Sequence, residues 1–376
     1  MILREPASQA ANSLLRVTRI DPQADPRWRD FVLAHPKASI YHHPAWIKAL
    51  EAEYGQPAEH LACEREGGQL VAVLPLLRTR GMPLRLGGSL ARRRLASLPR
   101  TPLAGPVSDD PRATSMLLRE AVRLAAQTGA LLQIKSGDGE LDSSADGLVA
   151  VPWRCTYGLK LPDNYDGLFR IPDTKERSRI KWAIAKGTKT GLTVRPAETA
   201  RDIREWYTVY LKTMRRSIIA ARPLRLFTAL WESLKPAGMM DLLLAELSEG
   251  RRRKVIAGAV FFYCKDTASY SFSGLDRSYS SLRATEAILW HAINDACAKG
   301  FRRFDFGEVP DGNYALARFK IKWGAEPERL YRYYSPMSGE SRADAHPGSG
   351  AFPSAVWRWL PLKFTEWVGD RVYSYL

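Results

Sequence analysis

Apolar residues recur along the chain in two rhythms, and each predicts a different element. Within residues 26–34 and 44–54 they return at helical spacing, and Pro44 after "YHH" suits the first turn of the second helix. The runs "EHLACERE" and "QLVAVLPLLRTR", joined by Gly67-Gly68, predict a β-hairpin. The stretch "LRLGGSLARRRLASLPRTPLAGPVSDD" is irregular and rich in Gly, Pro and Arg. From Pro111 to Thr128, Met116, Leu117, Val122 and Ala125 share helical spacing, closed by Gly129, and "ALLQIKS" then predicts a buried strand. The opening fifteen residues show neither rhythm and read as disordered.

A second cycle follows. "WRCTYGLKLP" predicts a strand, "TKERSRIKWAIAKG" a basic helix ended by Gly187, and "TGLTVRP" a short strand. Helices are predicted over 198–217 and 224–235, then the strands "MMDLLLAEL", "KVIAGAVFFYC" and "TASYSFSGL". A helix over 282–299 stops at Gly300, and the strand "RRFDFG" leads into "ARFKIKWGA", read as a loop-to-strand segment. Helices, then antiparallel-type strands, then a helix and a strand occur twice, which is an α+β order and suggests a duplicated domain. The expected division is 14–160, 161–335, and a remainder 336–376 made of a polar linker (336–350) and an aromatic helical tail interrupted by Pro361.

Composition narrows the class. A 45% hydrophobic and 26% charged chain of 376 residues can bury globular cores. No run reaches the roughly 18 apolar residues of a membrane span, and the N-terminus lacks the apolar core of a signal peptide. Cys63, Cys155, Cys264 and Cys297 are scattered without a CxxC pair, and the six histidines show no ligand spacing, so neither a metal site nor a disulfide framework is expected. A cytoplasmic location is the simplest expectation. The net charge of +16 attracts polyanions such as tRNA, DNA, anionic lipid or phosphate-bearing substrates, without choosing among them.

Three segments carry a resemblance: "RIKWAIAKGTKTGLTV", "YLKTMRRS…RPLRLFTAL", and above all "SYSFSGLDRSYSSLRATEAILWHAINDACAKGFRRFDFGEVPDGNYALARFKIKWGA". In order and spacing they resemble the FemAB-like branch of the GNAT acyltransferase superfamily, with weaker echoes in "HPAWIKAL" and "LASLPRTPLAGP". The resemblance implies two tandem GNAT-like domains, each a mixed, mostly antiparallel sheet flanked by helices. It implies transfer of an acyl group to an amine. Fem transferases use aminoacyl-tRNA as donor and a muramyl-peptide precursor of peptidoglycan as acceptor. In relatives the donor is thought to be acyl-CoA, or is unknown, and many act on envelope or exopolysaccharide material. No tightly bound cofactor is implied; acyl-CoA or aminoacyl-tRNA is the co-substrate. The acceptor would be a phosphate-bearing or lipid-linked saccharide, and peripheral contact with the inner membrane stays open.

Residue by residue, the resemblance places Lys320 of the Phe319-Lys320 pair near the transfer site, where an ammonium would either stabilise the tetrahedral oxyanion or hold the donor's phosphate. Phe319 would stack or pack beside it. Arg215 and Arg216 complement a helix C-terminus, and the family uses a basic residue near there to grip acceptor phosphates. Tyr270 is expected to share a face with Phe272 and to line the acceptor pocket, and Lys48 matches a lysine aimed at the acceptor from the first domain. Asp305 alternates with Phe304 and Phe306; it is either a general base or the partner of an arginine. No Ser-His-Asp or Cys-His arrangement is evident, so direct attack by the acceptor amine is expected rather than an acyl-enzyme. The family's glycine-rich pyrophosphate loop is replaced here by "RSYSSLRA", which puts acetyl-CoA binding in the second domain in doubt. "LGGSLARRRL" is a weaker phosphate-loop candidate, and the helix "TKERSRIKWAIAKGTK" is where a tRNA backbone would lie. The alternative to an enzyme is a silent tandem scaffold that binds an anionic polymer.

Overall fold

The structure is a computed structural model that describes residues 14–82, 92–137, 139, 141, 147–167, 169–171, 173–249, 252–336, 354–373 and 375. Of the opening fifteen residues expected to be disordered, the first thirteen lie outside the described residues and Leu15 begins a strand; most of the "LGGSLARRRL" loop and nearly all of the 336–350 linker also lie outside them.

The first half opens with β1 (Leu15–Arg19), which pairs with β2 (Leu61–Arg65) of the expected hairpin. Helices α1 (Pro26–Ala34) and α2 (Pro44–Tyr54) lie between them. Each starts on a side-chain cap followed by proline: Asp25 accepts from Arg27 N, and His43 from Ala45 N. The apolar run "QLVAVLPLLRTR" is not one strand. Pro75 has no N–H to give a ladder, so the run divides into β3 (Leu70–Leu74) and β4 (Leu77–Thr79), which enter different sheets. Two short strands, β5 (Arg94–Ala96) and β6 (Val107–Ser108), interrupt the stretch expected to be irregular. Helix α3 (Pro111–Gln127) and strands β7 (Leu131–Gly137) and β8 (Val149–Lys160) complete this half.

The second cycle runs α4 (Thr174–Lys189), β9 (Leu192–Pro196), α5 (Ala200–Arg216), α6 (Leu224–Leu234), β10 (Met240–Glu249), β11 (Arg252–Cys264) and β12 (Thr267–Leu275). Then come α7 (Ala284–Ala298), β13 (Arg303–Val309), α8 (Tyr314–Ile321), β14 (Glu326–Tyr334) and the tail helices α9 (Ser354–Trp357) and α10 (Leu362–Val372). Gly187 does not end α4. The helix runs on to Lys189, and the glycine is there for contact, since a Cβ would sit 2.9 Å from Leu192 Cδ2 and 3.1 Å from the Leu282 carbonyl.

The architecture is α+β. A four-stranded sheet has the order β1-β2-β3-β6, and a ten-stranded one β4-β5-β7-β14-β8-β13-β12-β11-β10-β9. Strand β14 pairs antiparallel with both β7 and β8, so strands from both halves share one continuous sheet. The apolar cores follow suit. One joins α1 and α2 to α5, α6 and a face of β11, with Trp46 edge-on to Phe262 at 5.2 Å. A second lies between α7 and the other face of the sheet, and a third under α3.

Two bulges shape the centre. Val260 pairs with Phe272 but Phe261 with Tyr270, so Ser271 is an extra residue in β12. It reverses the alternation: Phe272 packs into the first core and Tyr270 into the second. The expectation that Tyr270 and Phe272 share a face is therefore wrong, because one inserted residue breaks a period of two. In β13, Asp305 faces Gly158 and Glu308 faces Thr156, again one residue too many, and Gly307 takes φ +76°, the region glycine enters without cost.

Candidate active site

Strands β12 and β13 pair in parallel only from Thr267–Arg303 to Ser269–Asp305 and then part, each carrying its bulge. Asp305 stands where they separate. Its Oδ1 accepts from the Thr156 hydroxyl at 2.8 Å and from the Gly307 N–H at 2.8 Å.

Lys320 lies in a helix, not in the expected loop-to-strand segment. Asn313 starts α8 by accepting from Leu316 N, and this turns Lys320 back onto β13. Its ammonium is buried and donates to the carbonyls of Gly307 at 2.7 Å and Glu308 at 3.0 Å, the two peptides at the bulge. Burial lowers its pKa to about 8, while Asp305 and Glu308 act in the opposite direction. Phe319 packs against the second core under Lys322, whose Nζ sits 4.3 Å from the ring centre.

Two cavities reach Glu308 and Asp305 respectively and share Pro102; Lys320 lines neither of these two. The larger, about 550 Å³, is lined by Asp305, Thr156 and Ser269 from the sheet and by Tyr41 from the first half. Tyr41 belongs to a 3-10 turn, Ile40–His42, capped by Ser39 and His42. Its hydroxyl bonds the Ser271 side chain at the β12 bulge, and burial, then Asp305, raises its pKa.

The smaller cavity, about 250 Å³, is lined by six cations, Arg94, Arg100, Lys135, Arg154, Arg222 and Arg332, and by one carboxylate, Glu308. Arg222 is fully enclosed; it bonds Glu53 Oε2 at 2.9 Å and the Arg100 carbonyl at 2.6 Å. Burial opposes its charge, but Glu53, Tyr54 and Tyr373 outweigh burial and raise its pKa. Arg332 donates to Glu308 Oε1 at 3.0 Å, and Lys135 to the Leu98 carbonyl. Burial and then Arg332 push the Lys135 pKa well down. The loop that closes this cavity carries Leu98 at φ 54° and Arg100 at φ 53°, conformations that cost energy for residues with a Cβ.

The other expected residues are dispersed. Lys48 is exposed on α2 and lines neither of these two cavities. Arg215 donates to the Leu360 carbonyl at 2.8 Å, tying α5 to the tail, and burial, then Arg277, lowers the Arg216 pKa. Tyr270 is turned into the second core beside Phe261 and Phe306. Between β12 and α7, "RSYSSLRA" forms a 3-10 turn followed by Arg283 at φ 56°, and no side chain caps α7. On α4, Arg177 is occupied by the Ile171 carbonyl and Arg179 by Glu176, while Lys181, Lys186 and Lys189 are exposed. The residues that sequence reasoning missed are Tyr41, Lys135, Arg222, Glu308 and Arg332. A lysine inside the apolar strand "ALLQIKS" was the available signal, because burying an unpaired cation is costly.

No curated protein sequence matches the chain. Residues 174–320 match the acetyltransferase (GNAT) domain family, and this match supports an acyltransferase. Its overall fold is that of several solved structures. It is similar to FemX at 16% identity and a TM-score of 0.64, over 86% of this chain and 97% of that one. It is similar to the C-terminal domain of a putative lysylphosphatidylglycerol synthetase from Agrobacterium fabrum at 15% identity and a TM-score of 0.56, over 85% and 92%. A tandem GNAT protein from the clavulanic acid biosynthesis pathway aligns at 11% identity and a TM-score of 0.50, over 87% and 100%. At these identities the likenesses show the fold. Among the described residues no group of His, Cys, Asp and Glu could hold a metal ion, and no helix is long and apolar enough to cross a membrane.

Proposed function

We propose that the protein transfers an acyl or aminoacyl group to an amine on a phosphate-bearing, lipid-linked precursor of the cell envelope, peptidoglycan or exopolysaccharide. The observation that carries this is the small cavity: six cations around one carboxylate, next to the Asp305–Lys320 centre of an acyltransferase domain. Three of the six, Lys135, Arg222 and Arg332, are buried; cations crowded in this way repel one another, and a phosphate or diphosphate would relieve them with charge-assisted hydrogen bonds. Envelope chemistry is supported by the similarity to FemX and to a lysylphosphatidylglycerol synthetase domain.

In this reading the acceptor amine attacks the donor's carbonyl carbon. A C–N bond forms and the C–O bond of an ester, or the C–S bond of a thioester, breaks. Asp305 takes the proton the amine must lose, directly or through water, and passes a proton to the leaving hydroxyl or thiol. The Lys320 ammonium, held on the Gly307 and Glu308 carbonyls, supplies positive charge behind the bulge that favours the oxyanion. Tyr41 and Thr156 hold the amine's side of the larger cavity. The 3-10 turn in place of a glycine loop, with the exposed lysines of α4, favours aminoacyl-tRNA over CoA as donor.

The test offers charged tRNAs and acyl-CoAs in parallel with a diphosphate-linked amino-sugar or muramyl-peptide acceptor and follows the acceptor by mass spectrometry. A mass gain from one donor class, lost in Lys320→Ala, is expected. A product formed equally well by Lys320→Ala, or none from any donor, overturns the reading.

A further inference from the structure

The tail folds back onto the body and divides into two faces. Trp357, Thr365, Val368, Gly369 and Tyr373 are buried. A Cβ on Gly369 would lie 2.2 Å from the Ala221 carbonyl, Asp370 pairs with Arg225, and the Tyr373 hydroxyl donates to the Ala220 carbonyl at 3.1 Å. This inner face is different from the one the sequence pattern picks out. That pattern groups Phe364 and Trp367 with Val368, yet both rings point outward.

The outer face is the unusual one. Val356, Trp359, Phe364 and Trp367 are 59%, 88%, 44% and 53% exposed, four of the eleven exposed large hydrophobics among the described residues, within one short stretch. Phe364 and Trp367 stack at 5.7 Å, and the Arg371 guanidinium sits 5.2 Å from the Trp367 ring centre. Arg358 and Lys363 are exposed beside them; of the two acids on this helix, Asp370 is paired with Arg225 and Glu366 is half-buried.

We propose that this face docks on an anionic phospholipid bilayer. Tryptophan and phenylalanine suit the headgroup boundary, where a ring finds apolar surroundings and a polar edge stays wet. The three cations complement an anionic surface, as in interfacial helices. A second copy of the chain would instead bring the same cations together across a two-fold axis, in a protein of net charge +16. Tyr373, at the end of this helix, lines the cationic cavity, so docking would bring that cavity to the headgroup layer. This last step rests on the proposed lipid-linked acceptor.

The test is co-sedimentation of the full chain with vesicles of phosphatidylcholine alone and with roughly a quarter phosphatidylglycerol. The variant replaces Trp359, Phe364 and Trp367 by serine; these side chains are exposed, and an unchanged melting temperature confirms folding. Binding to the anionic vesicles is expected to fall about tenfold or more in the variant, and the preference for phosphatidylglycerol to vanish in Arg358→Glu/Lys363→Glu. Equal binding by the triple variant, no binding by the unaltered protein, or a lipid-free dimer broken by the same substitutions overturns the proposal. Binding of inorganic pyrophosphate to the cavity is read separately. Vesicle binding without pyrophosphate binding leaves the docking in place and removes the proposed acceptor, and the converse removes the docking alone.

Discussion

Lys135 and Lys320 are both 3% exposed, and they sit in opposite electrostatic settings. Around Lys320 the neighbouring charges are Asp305 and Glu308, and two carbonyls accept its hydrogen bonds. Around Lys135 the neighbours include Arg332, Arg100 and Arg222, with Glu308 alone on the other side. The same side chain at the same depth is thus surrounded by carboxylates in one place and crowded by arginines in the other. Burial sets the cost of a charge, and neighbours decide whether the cost is met from inside the protein or by a ligand.

The sharpest way to break this contrast is at the Arg222–Glu53 pair, whose side chains are 4% and 0% exposed. Arg222→Ala leaves Glu53 buried without its partner and should cost about 3–5 kcal/mol of stability in urea unfolding. Arg222→Ala/Glu53→Gln should recover much of it. If the single variant is as stable as the parent, the cavity wall is not held by this pair.

Next in size is Lys320. Lys320→Ala should lower turnover by up to about 10²–10³ if its positive charge stabilises the oxyanion. Its pH dependence has a definite sign. The folded pKa of about 8 lies below the ordinary 10.5, so between those values the unfolded chain binds more protons and stability rises with pH. The lysine's cost, about 3 kcal/mol, is fully present below pH 8 and gone above 10.5. Subtracting the unfolding profile of Lys320→Met should leave this rise; a flat difference would show that the lysine is not buried as a cation. Turnover that depends on the charged form should fall as pH passes about 8.

The cationic side predicts a ligand effect. Inorganic pyrophosphate at about one hundred times its Kd should add about 2.7 kcal/mol to stability, weakening with salt. Arg332→Gln should reduce that gain, read as a smaller shift of Tm. The smallest effect is expected at Lys48. As an exposed helix residue, its replacement by alanine should change stability by less than about 0.5 kcal/mol. Any marked loss of turnover would place it in the site despite its exposure.

Much of the framework was legible because local physics dictates it. Helices α1, α2, α5 and α6 begin at caps or prolines and carry apolar stripes, so their places follow from spacing alone. The site was legible only in part. Lys320 and Asp305 could be singled out, yet the helix that aims Lys320 and the bulges beside them could not, because one extra residue in a strand leaves no mark on composition or hydrophobic period. The missed arginines are harder still. With 56 lysines and arginines in the chain, the pattern does not say that Arg94, Arg222 and Arg332 meet.

By itself, the amino-acid order determined the α+β class, the twofold recurrence of elements, the excess positive charge and the Phe319-Lys320 segment, since each depends on residues close together in the chain. Tertiary structure alone decided that one sheet runs through both halves, that Tyr41 reaches the parting of β12 and β13, and that six cations surround one carboxylate. Those outcomes depend on distances between residues far apart in the chain, and only packing and strand register set such distances.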